Sequence, residues 1–198
     1  SGSHSPPDAG SPPSRSRAAL AGLRPGDHRR GPDTARLQLR AFLPEDAAVF
    51  HRLSALPALL RYIPEPPLES VEAARAAIAS YPDWQDPGFG RWAMVHLDDA
   101  RVIGFAGLKF LPELDLVDLG YRLLPGYWGR GLATEAGRAC LDHAFGRLGL
   151  GAIHGLVDPR NHASVRVLQK LGMVREGALP QRGSDMDIFV IRRAPRGS

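Results

Sequence analysis

What the chain has little of narrows what it can be. Among 198 residues there is one cysteine, Cys140. An internal disulfide framework and a cysteine-built zinc cluster are therefore excluded, and a reducing compartment is expected. No apolar run approaches the roughly 18 residues of a membrane-spanning helix, so no membrane partner is expected. The Ser/Pro-rich start has no apolar leader region, and the expected location is the cytoplasm. Lysine is nearly missing: of 25 basic residues, all but Lys109 and Lys170 are arginine. The formal net charge is only +4, with no dense basic stripe interleaved with aromatics, so nucleic acid is not an expected partner. The seven histidines show no HExxH and no paired spacing, and no metal is expected. No G-x-S-x-G elbow marks a serine hydrolase.

What is present divides the chain unevenly. Residues 1–33 hold six Ser, six Pro and five Gly, too little apolar surface to offset the entropy of ordering. They read as a disordered tail that begins with a vector remnant, SGSH. The folded domain is expected over residues 34–193, with 194–198 as a flexible C-terminus. Arg36–Phe42 alternates as a strand. Pro44-Glu-Asp opens a helical stretch, Ala47–Leu60, with proline and acids at its first turn. Glu69–Tyr81 is a second helix. Arg91–Leu97 and Arg101–Phe110 form a hairpin, and Leu114–Leu124 is the fourth strand. Gly131–Leu148 is a strong helix whose apolar face includes Cys140, read as core rather than nucleophile. Ala152–Val157 is the fifth strand, Ser164–Leu171 a helix stopped by Gly172, and Val174–Ala178 and Met186–Arg192 are the last strands. This order describes an α+β (mixed α/β) domain.

The chemistry concentrates in Leu119-Gly-Tyr-Arg-Leu-Leu-Pro-Gly-Tyr-Trp-Gly-Arg-Gly-Leu-Ala-Thr-Glu-Ala136. A strand runs through a glycine turn into a helix. Small residues at Gly129, Gly131 and Ala133 allow a ligand close to the backbone, and the first-turn amides lie at the positive end of the helix dipole. That combination suits a phosphate or pyrophosphate. A Walker A loop is excluded because Leu132 and Ala133 stand where Lys and Ser/Thr are needed, and a dinucleotide loop because Thr134 replaces its third glycine.

Tyr127-Trp-Gly-Arg-Gly-Leu-Ala-Thr-Glu-Ala136 resembles motif A of the GNAT superfamily of N-acetyltransferases in its RimJ/RimL-type form, with Trp128 in place of the more usual Gln/Arg. Thr34-Ala-Arg-Leu-Gln-Leu-Arg with Pro44-Glu-Asp-Ala resembles that branch's N-terminal pattern. Asn161-His-Ala-Ser-Val-Arg-Val-Leu-Gln-Lys-Leu-Gly-Met173 resembles its third pattern, with Met173 for Phe. The resemblance implies a central, mostly antiparallel seven-stranded sheet, split between strands 4 and 5 and flanked by about four helices. It implies acetyl-CoA as co-substrate, with pantetheine pairing along Tyr121, Arg122 and Leu123. The pyrophosphate would lie over Gly129, Arg130, Gly131, Leu132, Ala133 and Thr134, and Asn161 would support the cofactor or the split strand.

The same resemblance implies a primary amine as acceptor: a peptide N-terminus, or a small amine such as a polyamine, amino acid or antibiotic. The other reading is a catalytically silent acyl-CoA sensor. The chain is expected to be a monomer or homodimer. Asp118 is the candidate base, with Asp115 behind it, and Glu135 reads as structural. The branch's acid position falls on Ser164, because Leu168 stands where many members keep a tyrosine; Tyr121 and Tyr127 are the alternatives. Arg61–Leu68 and Pro82–Phe89 are expected to border the acceptor mouth, lined by Trp84, Phe89 and Trp92.

Overall fold

A computed structural model describes Leu20, residues 28–181 and residues 184–195. Among the described residues eight strands form one sheet: β1 (Arg30–Asp33), β2 (Leu37–Arg40), β3 (Arg91–His96), β4 (Arg101–Leu111), β5 (Leu116–Leu123), β6 (Ala152–Val157), β7 (Val174–Gln181) and β8 (Ser184–Arg192). Their spatial order is β1-β2-β3-β4-β5-β6-β8-β7. Every neighbouring pair is antiparallel except β5 and β6. Among the described residues the sheet is accompanied by α1 (Ala47–Ser54), α2 (Pro57–Leu60), α3 (Val71–Ala79), α4 (Leu132–Gly146) and α5 (His162–Lys170).

The strand missing from the seven expected is β1, hidden in sequence because Gly31 and Pro32 both weaken a strand signal. Gly31 has a reason to be glycine: a Cβ there would stand 2.8 Å from the Trp92 ring. Order therefore begins upstream of Thr34. The His28 carbonyl accepts the Trp92 indole N–H at 2.8 Å, its ring lies 3.1 Å from His143, and Leu20 is buried in the same core. The expected tail boundary is corrected for Leu20 and residues 28–33. The rest of the expected tail, and residues 196–198 of the expected C-terminus, lie outside the described residues.

The single helix expected over Ala47–Leu60 is two. Leu56 is extended, with φ −63° and ψ 112°, because the proline ring of Pro57 crowds the helical conformation of the residue before it. α3 starts where Ser70 accepts the Ala73 amide at 3.0 Å.

Alternation along β5 decides what faces what. Val117, Leu119, Tyr121 and Leu123 point into the main core, where α4 buries Leu132, Ala136, Cys140 and Ala144. Cys140 is inert there, its thiol pushed up to about 12 by burial. Asp118, Gly120 and Arg122 face the opposite side, toward α1, whose Leu53 packs with Leu56, Phe105 and Leu124. β5 and β6 share one register pair, Asp118 with His154, so the expected split lies between them.

Candidate active site

The glycine loop is built for close approach. Gly129 and Gly131 have φ of +74° and +75°, a region that L side chains rarely adopt. The first intrahelical bond of α4 runs from the Glu135 amide to the Gly131 carbonyl at 3.0 Å. The amides of Leu132, Ala133 and Thr134 thus have no acceptor within the helix. Glu135 is structural, as its place in the first turn suggested. Its carboxylate accepts the Thr34 hydroxyl at 2.7 Å, the Arg36 amide at 2.9 Å and the Arg36 Nε at 2.7 Å. Burial alone would raise its pKa, but these donors outweigh that and hold it below the ordinary value. Arg36 also donates to the Arg130 carbonyl at 2.9 Å, so the N-terminal motif clamps the loop. The side chain of Arg130 stacks over Tyr127 with 5.1 Å from guanidinium to ring centre, outside the groove the loop opens onto.

That groove has a volume of about 480 Å³. Gly129, Gly131, Leu132, Ala133 and Thr134 line one end, Tyr121, Arg122 and Leu123 run along it, and Asn161 and Ser164 face them from α5. Asn161, not Ser164, caps α5: its side-chain oxygen accepts the Ser164 amide at 3.3 Å. The Ser164 hydroxyl is thereby left to meet Tyr121, with 2.9 Å between the oxygens, while the Tyr121 hydroxyl also lies 3.0 Å from the Ser164 carbonyl. Burial raises the Tyr121 phenol well above its usual pKa, so it keeps its proton. Leu168, in the position where the tyrosine was missed, is buried, and its methyl would stand 2.9 Å from a Cβ at Gly155. Tyr127 is committed elsewhere, donating to Asp99 at 2.5 Å.

Asp118 lies beside this groove but lines neither it nor its neighbour. Its Oδ1 accepts the Leu156 amide at 2.9 Å, and its Oδ2 is 3.7 Å from Arg91. Burial pushes its pKa up to about 6, against the opposing Arg91 charge and the Leu156 hydrogen bond. Asp115 sits in the β4–β5 turn with φ +52°.

A second cavity of about 350 Å³ adjoins the groove, and Arg122 lines both. Its walls are mainly apolar, including Phe42, Phe50, Tyr81, Trp84 and Phe105, with Arg91 and Lys109 on the sheet side and Glu65 from the 61–68 segment. Of the three aromatics expected at the acceptor mouth, only Trp84 reaches it. Phe89 and Trp92 are fully buried; Trp92 packs edge-on against His143 at 5.0 Å between ring centres. Glu65 belongs to the Arg61–Leu68 segment expected at the acceptor mouth, though it was not singled out there; Arg91 and Lys109 were not anticipated. Alternation marks which side of a strand a residue takes, but not that Arg91 lies along the sheet surface.

The site is framed by a split sheet and the glycine-opened helix that follows β5, and similarity to known proteins assigns the class. Residues 36–174 match the acetyltransferase (GNAT) domain family. The chain is 32% identical over 163 residues to the uncharacterised N-acetyltransferase p20 of Bacillus licheniformis, covering 79% of this chain and 92% of that protein. It is 29% identical over 153 residues to spermidine N(1)-acetyltransferase of Escherichia coli K12, covering 75% and 78%. The ribosomal-protein-S5-alanine acetyltransferase of Vibrio fischeri has the same fold, with a TM-score of 0.70 at 19% identity over 81% of this chain and 94% of that one. The chain belongs to the GNAT acetyltransferases, enzymes that take their acetyl group from acetyl-CoA. Among the described residues no helix is long and apolar enough to cross a membrane.

Proposed function

We propose that the chain transfers an acetyl group from acetyl-CoA to a primary α-amine by direct attack, without a covalent enzyme intermediate. The observation that carries this reading is the Tyr121–Ser164 hydroxyl pair, set in the long groove next to a separate, cation-lined cavity, with Arg122 as the shared wall. The groove takes the donor: the loop amides and Asn161 suit its pyrophosphate end, and the β5 edge at Tyr121–Leu123 suits its amide-bearing arm. The cavity takes the amine. The new N–C bond forms as the C–S bond breaks; the amine loses a proton and the departing thiolate gains one. Ser164 passes its hydroxyl proton to the departing sulfur and recovers one through water from the amine nitrogen as the new N–C bond forms, and Tyr121, which keeps its own proton, orients the Ser164 hydroxyl.

The amine must be neutral to attack. An α-amine with a pKa of about 8 costs about 1.4 kcal/mol to deprotonate at pH 7, and a lysine ε-amine at about 10.4 costs about 4.6. Arg91, Arg122 and Lys109 lower the pKa of any ammonium placed among them, because like charges disfavour it. The site therefore assists deprotonation electrostatically, and Asp118 serves as a positioning residue for Arg91 and β6.

Ser164→Ala tests the proposal. Turnover should fall about tenfold or more while calorimetric affinity for acetyl-CoA stays within about twofold, since the proton is needed only as the thioester breaks. Equal turnover in the two proteins returns Ser164 to a packing role. Absence of thiol release with any amine, with acetyl-CoA still bound, makes the chain a sensor.

A further inference from the structure

We infer that the 350 Å³ cavity accepts amines that carry a carboxylate on an apolar or aromatic body, with Arg122 and Arg91 recognising the carboxylate; this rests on the acetyl-transfer reading above.

The sheet is cleared to lay Arg91 flat. Arg91 of β3 is in register with Gly107 of β4, and Gly107 with Gly120 of β5. A Cβ at Gly120 would stand 2.9 Å from one terminal nitrogen of Arg91 and 3.0 Å from its Nε. Across this lane the guanidinium reaches Phe105, 5.4 Å from its ring centre, and Arg122 stacks on the same ring at 5.2 Å. Two like charges thus share one aromatic ring. Arg91 has Asp118 at 3.7 Å, and its Nε is buried without a hydrogen-bond partner. Lys109 has Asp83 at 3.5 Å. Arg122 donates to the Leu53 carbonyl at 2.9 Å, and among the described residues no carboxylate lies within ion-pair distance of it.

Asp83 and Asp118 are buried and do not line the cavity, so among the described residues Glu65 is the single acid in the lining, against three cations. Arg122 has a pKa pushed down to about 10, first by burial and then by the Arg91 charge, and a bound anion relieves both costs. A polyamine would set several ammonium groups against Arg91, Arg122 and Lys109 with one exposed carboxylate to hold them, which is the wrong complement. A carboxylate can bridge the guanidiniums while an apolar body packs on Phe42, Tyr81 and Trp84. The amine then lies on the Arg122 side, where the cavity meets the groove.

The test uses the full chain with CoA bound and three probes: phenylalanine, phenethylamine (the same body and amine without the carboxylate) and spermidine. Calorimetry should show phenylalanine binding at least about tenfold tighter than either, as a charge-assisted hydrogen bond is worth about that factor. Arg122→Gln should abolish the preference. Should that variant fail to fold, Glu65→Gln on the exposed loop should tighten phenylalanine binding and weaken spermidine binding. Tighter binding of spermidine or phenethylamine than of phenylalanine overturns the inference. Thiol release from acetyl-CoA is read separately. Arg122-dependent phenylalanine binding without release for any amine upholds the cavity assignment and sinks the transferase reading; release with spermidine alone establishes acetyl transfer but overturns both the carboxylate assignment and the α-amine acceptor.

Discussion

Asp118 Oδ1 accepts the Leu156 amide across 2.9 Å, so a side chain of β5 fastens β6 just past the one residue pair the two strands share. Its burial gives it a titration that can be measured. The folded pKa of about 6 lies above the ordinary 3.8, so the folded state holds this proton longer than the unfolded chain. Its contribution to stability is greatest below about pH 4 and is lost as pH rises through about 6, by on the order of 3 kcal/mol. Asp118→Asn keeps the acceptor for Leu156 and removes the charge. Denaturant titrations of both proteins should show the variant gaining on the wild type between pH 4 and 6. Parallel curves would show that Asp118 is ionised throughout.

His143 runs the other way. Burial first, and then the neighbouring His28, lower its pKa to about 4 from 6.5. The native state binds this proton more weakly than the unfolded chain, so its contribution is complete above about pH 6.5 and is lost as pH falls through about 4. His143→Gln should be less sensitive to acid than the wild type, by on the order of 3 kcal/mol at pH 4. Because the Asp118 and His143 slopes oppose one another, the wild-type profile is flatter than either difference.

Removal of everything before Asp33 should destabilise the fold. The cut takes away the His28 carbonyl that accepts the Trp92 indole N–H, leaving a buried donor without its partner, and most of β1. An unsatisfied buried donor costs about 1–3 kcal/mol, and for a chain of this size the melting temperature should drop by about 4 °C or more. A chain starting at residue 28 should lose much less. Equal melting temperatures for the two cuts would mean that the Trp92 bond finds water.

Gly131→Glu should abolish measurable acetyl-CoA binding by calorimetry while leaving the fold cooperative. The position has φ +75° and open space, with the nearest atom to a Cβ at 3.7 Å on Arg36. The backbone strain is on the order of 1–3 kcal/mol, and the added carboxylate competes for the amides meant for phosphate. Unchanged affinity in a folded variant would remove the loop from the site.

Tyr121→Phe and Ser164→Ala should be non-additive in turnover. They delete the same hydroxyl contact, so the double variant should resemble Ser164→Ala alone. Full additivity would mean that each hydroxyl acts by itself.

The fold and the donor groove were largely legible in the sequence because their signals are local. Gly129 and Gly131 announce the turn before the helix, and the small and apolar periodicity of 132–144 announces α4; that Asn161 caps α5 was seen only in the structure. The motif residues Thr34 and Arg36 were visible, but not that they grip Glu135 about a hundred positions away. The cation wall of the second cavity was not legible, although the 61–68 and 82–89 segments that border it were named from the sequence. It depends on the register that aligns Arg91 with two glycines from different strands, and register is a property of pairing rather than of any one segment. β1 was missed for the same reason: Gly31 and Pro32 look like loop until Trp92 is seen against them.

The scarcity of lysine bears on how this enzyme survives its own chemistry. On the proposed function, a cavity that holds amines beside a reactive thioester exposes its own walls to acylation. Arginine is proof against it, because a guanidinium near pKa 10 or above is still protonated at neutral pH and has no free lone pair to attack with. Among the described residues the cations facing the cavity are Arg91, Arg122 and Lys109, and the one ammonium among them is tied up in an ion pair, 3.5 Å from the Asp83 carboxylate. On that reading, a Lys at position 91 or 122 would preserve the charge but present a competing amine to the donor, turning the protein into a substrate of itself.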